Sequence, residues 1–483
     1  MEQLTGMDAS FLHTETSTAH MHIGPLFIYD VSTTTNGFVR FKDILKTFEE
    51  RLDKSTVFRR KLATVPLNLD QPYWIEDENF DLEFHMRHIA LPQPGDWRQL
   101  CILVARLHSR PLDRSRPLWE AYVIEGLDNV AGLPKGGFAL FLKIHHACID
   151  GATGTEIMGA IHDLSPEPNE DDFTAGGAWR PESMPSNASL LWRAYLTNLR
   201  HPFRLAKVVG KGLPAIGRLR TGRKEKKFRD LGEKERTRFN GKISAHRVFG
   251  AVTYDLAEVR RVKTAVAGAT VNDVMLTIVG GALYKYLEAK GEAPQQSLVT
   301  GAPVNVRSGE EAGTGGNVVS MLSIALRTDI TDPLERLRTM HEEASQSKAY
   351  HQAMGARMLT DLSNSLPSHI TVLAFRAASA AGLLASTKPI FNTIITNVPG
   401  PQVPLYMGGA KLVQSLGAGP CMDNMGLFHP VTSYNGIIAV SFQACREMMP
   451  DPSFYEECLR ESYAELCAAV PAAGKKKTKR RAG

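Results

Sequence analysis

The chain has 483 residues, 43% hydrophobic and 22% charged, with a net charge of +5. That is enough for two ordinary domains with sizeable cores. No basic-then-apolar leader and no apolar run of membrane-spanning length is seen, so a cytoplasmic protein is expected rather than a secreted or integral one. The six cysteines (101, 148, 421, 445, 458, 467) show neither CxxC nor metal-ligand spacing, so free thiols and no metal site are expected.

In chain order, His22 to Tyr29 reads as a strand, and Phe41, Ile44, Leu45, Phe48 and Leu52 form an apolar helical stripe. Phe138 to Ile144, bounded by Gly136-Gly137, reads as a buried strand. Ile157, Met158 and Ile161 return to helical spacing, and Ser165 to Asn187 is Pro/Ser/Gly-rich loop. Between Arg193 and Lys242 stand 16 Lys+Arg against 4 Asp+Glu, and Lys475 to Arg481 adds six more basic residues. Further on, Val252 to Leu256, Leu298 to Val306, Val318 to Leu326, Phe391 to Asn397 and Gly436 to Phe442 read as strands. Thr331-Asp332-Pro333 opens a helix, and Ile370 to Ala385, interrupted by Arg376, reads as a core helix. The division expected is an N-terminal half at 1–180, a basic linker at 181–244, a C-terminal half at 245–470 and a disordered basic tail at 471–483. No internal repeat is seen. The elements by themselves give a mixed α/β (α+β) protein.

The chemistry is concentrated at the end of the Phe138 strand, in His145-His146-Ala147-Cys148-Ile149-Asp150-Gly151. An imidazole titrates near working pH and, beside a hydroxyl, takes its proton during attack on an acyl carbonyl. A loop held between a strand and a helix is a common seat for such a group. The bland alternative is a pair of satisfied core histidines with Asp150 as a helix cap.

This arrangement resembles the HHxxxDG motif of the chloramphenicol acetyltransferase-like superfamily. Met7 to Leu12 with His20 to Gly24, Pro117-Leu118-Trp119-Glu120, Val271-Asn272-Asp273-Val274, Asn397 to Pro401 and Ser433 to Gly436 follow in the order expected of bacterial wax ester synthase/diacylglycerol acyltransferases. The resemblance implies two similar α/β domains flanking a central substrate tunnel. It also implies acyl transfer from acyl-CoA, as substrate and not cofactor, to diacylglycerol or a long-chain alcohol. His146 is then the general base and needs no acyl-enzyme. Adjacent side chains on a strand point to opposite faces, so His145 reads as an orienting or structural residue. Asp150 would fix the loop through an arginine, with Arg59, Arg60 and Arg307 as candidates, and Gly151 would allow close backbone approach.

The remaining candidates have two readings each. Asp273 either caps a helix through Thr270 or belongs to the site, and Asn272 would donate to substrate or oxyanion. Asn397 to Pro401 is a tunnel-mouth turn or an ordinary Pro-Gly turn. Ser433 and Asn435 line the site more weakly. Trp119 reads as core packing and Cys148 as a small filler. The basic linker is either a solvated connection or an interfacial element facing an anionic membrane or lipid droplet, giving peripheral association with the inner membrane face or lipid inclusions. Nucleic acid is disfavoured because no recognised module accompanies the charge. Two other functions stay open: a condensation-domain-like or polyketide-associated acyltransferase using carrier-protein thioesters, and a catalytically silent lipid droplet-binding protein.

Overall fold

Every side chain from Phe138 to His145 is buried, which makes this strand a two-sided core element. The computed structural model describes residues 1–149, 151–167, 183–199, 234–305, 319–354 and 381–470, with isolated positions 181, 373, 377 and 378. One six-stranded sheet runs in the order Tyr406–Met407, Ala410–Ala418, His22–Asp30, Phe138–His145, Trp119–Glu125, Met86–Ala90. A second runs Val319–Ala325, Val299–Asn305, Thr393–Pro399, Leu427–Tyr434, Ile437–Cys445, Arg247–Asp255. Both sheets are mixed. Met86–Ala90 lies parallel to its neighbour in the first, and Thr393–Pro399 lies parallel to both of its neighbours in the second. A small third sheet joins Glu2–Gln3, Tyr73–Glu76 and Arg60–Ala63.

The helices cover these sheets and begin at side-chain caps. Asp96 and Gln99 form a reciprocal box at the start of Trp97–His108, and Thr270 and Asp273 do the same for Val271–Ala289. The Asp332 carboxylate accepts from the Glu335 amide at the start of Pro333–Met354. The expected strands are present with shifted ends. Thr393–Pro399 runs further than the sequence suggests, because Pro399 sits at the strand end, where its missing N–H is tolerated. Ile437–Cys445 begins after Asn435 and Gly436, whose φ of 42° and 85° make the two-residue hairpin turn that Asn-Gly favours. Strands Ala410–Ala418 and Leu427–Tyr434 and helices Trp97–His108 and Pro452–Ala469 were not legible beforehand. Half of Ile370 to Ala385 lies outside the described residues; in the rest Gly382 turns the chain with a φ of 66° and Leu373 and Leu383 are exposed, so this part is not the core helix expected.

The two sheets share a seam. Ala410–Ala418 comes from the second half of the chain yet pairs antiparallel with His22–Asp30 in the first sheet. A cut at 245 therefore does not follow sheet membership. Beside it Thr432 Oγ1 donates to the Ser415 carbonyl at 2.6 Å, and the Gly417 amide donates to Ser441 Oγ at 3.2 Å. The apolar cluster here draws Leu100, Val104 and Phe141 from one half and Phe249, Leu416 and Ala439 from the other. Burying such a joint surface contributes roughly 25 cal/mol per Å² of apolar area removed from water.

Candidate active site

The strand Phe138–His145 ends at the histidine pair, and backbone hydrogen bonds clamp both residues. The His145 amide donates to the Leu118 carbonyl at 2.9 Å and the His146 amide to the Met21 carbonyl at 2.7 Å. A single helical turn over His146–Cys148 follows. His145 is its cap: its Nδ1 accepts from the Ala147 amide at 3.0 Å. A nitrogen that accepts carries no proton, so neutral His145 is the Nε2–H tautomer. His145 is 1% exposed, whereas His146 is only partly buried. The two side chains therefore differ in exposure.

The His146 ring stacks on Phe11, 4.0 Å between centroids and 18° between planes. Phe11 belongs to the helix Gly6–His13, whose start Thr5 caps by accepting from the Asp8 amide. Burial pushes the His146 pKa down to about 4, so the ring is neutral near pH 7.

Behind the pair lies a buried polar network that sequence reading passed over. Glu15 Oε1 lies 3.3 Å from His145 Nε2 and 3.4 Å from His22 Nε2, and accepts from the Met21 amide at 2.8 Å. Its other oxygen meets the Arg114 guanidinium. Burial raises the Glu15 carboxyl, but the close approach of His145 and His22 and the Arg114 hydrogen bond outweigh it and hold the group below the usual carboxylate range. His22 is driven well below the usual imidazole range by burial, aided by His108 and His145 and opposed by Glu15. His108 donates Nε2–H to the His22 carbonyl at 3.0 Å and accepts at Nδ1 from Gln443 at 2.7 Å, across the seam. Burial brings it to about 3. Lys143, fully buried on the central strand, is compensated by Glu120 at 2.8 Å and by the Leu107 and Arg110 carbonyls.

Glu15, His20 and His22 bring one possible metal ligand each within 4.8 Å of the others. The carboxylate already accepts from Arg114 and the Met21 amide and faces two imidazoles, and Arg247, Lys143 and Arg114 place positive charge around His20. That environment suits a carboxylate–histidine network better than a bound cation.

Stability should fall on mild acidification. Burial holds His146 and His162 near 4 and His108 and His429 near 3, while unfolded histidines take up protons at about 6.5. Below that pH the unfolded chain binds more protons than the native one, so unfolding free energy drops as pH falls. Glu15, lowered in the fold, acts in the same direction at still lower pH. Urea midpoints measured from pH 7.5 down to 4.5 are expected to decline steadily; a flat profile would contradict neutral burial of these rings.

The other expected site residues gather in a second group, on the second sheet. Asn397 Nδ2 donates to Asn272 Oδ1 at 3.2 Å, so these two are neighbours. Asp273 is a helix cap. Its buried carboxylate accepts from the Thr270 amide at 2.8 Å and lies 3.0 Å from His341 Nδ1. Gly400 packs on the hairpin: its amide donates to the Ser433 carbonyl at 2.8 Å, and a Cβ there would stand 2.5 Å from that oxygen and 4.0 Å from Met158 Sδ. Met158 lies on Gly151–Ile161, the helix that follows the histidines, so the Pro-Gly segment reaches the motif's own helix. Gln402 Nε2 lies 3.5 Å from Ser433 Oγ, and Asn435 occupies the hairpin turn, which accounts for its residue type without a site role. Asp150 lies outside the described residues, as does Arg307; Gly151 opens its helix. Arg59 pairs with Asp53, and Arg60 donates to Glu2 at 2.9 Å. Trp119 is core, as expected, and burial pushes the Cys148 thiol up, away from thiolate chemistry.

Two mixed sheets, the first completed by a strand from the second half of the chain, with a histidine pair at the end of a central strand, make up a fold shared with condensation domains. The first condensation domain of the calcium-dependent antibiotic synthetase has this fold, with TM-score 0.57 and 15% identity over 98% of this chain and 97% of that one. The wax ester synthase/diacylglycerol acyltransferase from Marinobacter aquaeolei VT8 matches at TM-score 0.66 and 27% identity, covering 97% of this chain and 99% of that one. A putative diacylglycerol O-acyltransferase of Mycobacterium tuberculosis is 32% identical over 458 residues, 93% of this chain and 87% of that protein. A probable diacylglycerol O-acyltransferase of the same species is 31% identical, covering 97% of this chain and all of that protein. Residues 4–275 match the model of the wax ester synthase/diacylglycerol acyltransferase catalytic domain, and residues 315–467 that of the WS/DGAT C-terminal domain. The chain belongs to the wax ester synthase/diacylglycerol acyltransferase family and is an acyltransferase.

Proposed function

We propose that the protein transfers a fatty acyl group from acyl-CoA to the hydroxyl of diacylglycerol or a long-chain alcohol, in one direct step without an acyl-enzyme. His146 Nε2 takes the hydroxyl proton as the oxygen attacks the thioester carbon. The tetrahedral intermediate then collapses, the C–S bond breaks, and the imidazolium returns the proton to the leaving CoA sulfur. The observation that carries this is the placement of His146: an imidazole kept neutral by burial, at the end of a buried strand, with its backbone amide bonded to the Met21 carbonyl and its ring stacked on Phe11. Asn272 gives its oxygen to Asn397 and keeps its NH₂ for a substrate oxygen. The substrates meet between the two sheets, in the tunnel that the family resemblance implies.

The test is thiol release from palmitoyl-CoA by the purified full-length protein, with hexadecanol and with dioleoylglycerol in separate reactions. Release that depends on the added alcohol, with the matching ester formed, is the expected result. Turnover with acyl-carrier donors alone would replace this reading with the condensation-type one. Droplet binding without release from either donor would make the protein a catalytically silent lipid-binding one.

Because these acceptors are insoluble in water, we further propose that the protein works at an anionic lipid surface. Among the described residues no helix is long and apolar enough to cross a membrane. The basic run lies mostly outside the described residues, but the helix 187–199 that leads into it is described. That helix buries Leu190 and Ala194 against Val65, Tyr73 and Ile75, and turns Trp192, Tyr195 and Leu199 outward, each more than half exposed. Aromatic side chains beside a net positive segment fit a headgroup boundary. Substituting both Trp192 and Tyr195 by alanine is expected to weaken binding to phosphatidylglycerol vesicles about tenfold, and raised salt is expected to weaken it further. Vesicle sedimentation reads both, and unchanged partitioning would remove the surface role.

A further inference from the structure

One carboxylate touches both supports of the loop that carries His146. Glu15 Oε1 faces His145 Nε2, and it also accepts from the Met21 amide, whose residue gives its carbonyl to the His146 amide. Arg114 holds the second oxygen and also donates to the Leu12 carbonyl at 2.9 Å, tying Glu15 to the helix that presents Phe11 to the His146 ring. His22 stands opposite the same Oε1, with its Nδ1 3.5 Å from the His108 carbonyl.

We propose that Glu15 is a positioning residue for acyl transfer: it fixes His145 in the Nε2–H tautomer and, through Met21, sets the backbone on which His146 rides. The physical reason is donor and acceptor parity. His145 Nδ1 is committed to the Ala147 amide, so its proton must sit on Nε2, where it needs an acceptor. A carboxylate offers lone pairs to the imidazole, the Met21 amide and the guanidinium together. A carboxamide has one oxygen and turns N–H groups toward Arg114 or toward the imidazole proton. If His145 then shifts to Nδ1–H, two donors meet at Ala147 and the turn under His146 loses its cap. A base displaced by about 1 Å loses on the order of 10²-fold in rate.

This inference rests on His146 as the base, and its test separates the two. In full-length protein, Glu15→Gln is expected to lower kcat about 10–100-fold with KM for palmitoyl-CoA and for the alcohol unchanged. Glu15→Asp, which keeps the charge but shortens the reach, should fall between Glu15→Gln and the parent. The ¹⁵N spectrum of histidine-labelled parent protein should show His145 as Nε2–H, and that signature should be lost in Glu15→Gln. A parent spectrum with His145 as Nδ1–H overturns the proposal without any variant, as does parental kcat in Glu15→Gln. A rate loss matched by loss of folded protein, with the His145 tautomer intact, also overturns it. Activity in His146→Ala would instead sink the base assignment.

Discussion

Alanine at position 146 is expected to lower esterification about 10²–10⁴-fold, the usual contribution of a positioned base, with the fold retained. His146 is only partly buried and sits in a single turn held by backbone hydrogen bonds to Met21 and within the turn. Its removal forfeits the stack on Phe11, worth about 0.5–1.5 kcal/mol. Thermal unfolding should therefore move little while thiol release collapses. The parent protein's kcat/KM should stay level through neutral pH and drop as pH falls through about 4, because burial lowers the base's pKa to that value and only the neutral ring accepts a proton. Assays shorter than the acid unfolding time separate this limb from loss of fold. Normal turnover by the alanine variant would take His146 out of the chemistry.

Trp119→Ala is expected to cost stability rather than chemistry, about 3–5 kcal/mol for emptying a buried indole site. Trp119 is fully buried on the strand beside Phe138–His145. Its ring lies 4.7 Å from His85 and 5.2 Å from Phe58, and its Nε1–H donates to the Phe58 carbonyl at 2.9 Å. Against a total of about 5–15 kcal/mol such a loss is large. The urea midpoint should drop sharply, and the fraction still folded should keep its KM. Trp119→Phe, which keeps ring contacts and leaves only the carbonyl without its donor, should recover most of the loss. An unchanged midpoint in the alanine variant would contradict core packing.

The strand, the histidine pair at its end and the helix cap were legible because their signals are local. Phe138 to Ile144 is a mainly apolar run, the histidines follow at its end, and Thr270 with Asp273 has the spacing of a capping box. Glu15 was not legible: its partners His22, Arg114 and His145 lie on separate elements, and nothing near Glu15 distinguishes it from a surface carboxylate. Lys143 misleads in the same way, since a lysine in a strand suggests an exposed face, and only Glu120 on the neighbouring strand shows why it is tolerated inside.

By itself the sequence determined that the chain mixes strands and helices, where several of them lie, and that a histidine pair stands at the end of the buried Phe138 strand, since periodicity, caps and turn residues act over a few neighbours. Only the tertiary structure decided that Ala410–Ala418 leaves its own half for the first sheet, that Asn272 meets Asn397, and that Glu15 holds His145 and the Met21 support of His146 together. Strand pairing and buried charge compensation depend on partners far along the chain, and no local pattern records which partner a group will find once the chain has closed around it.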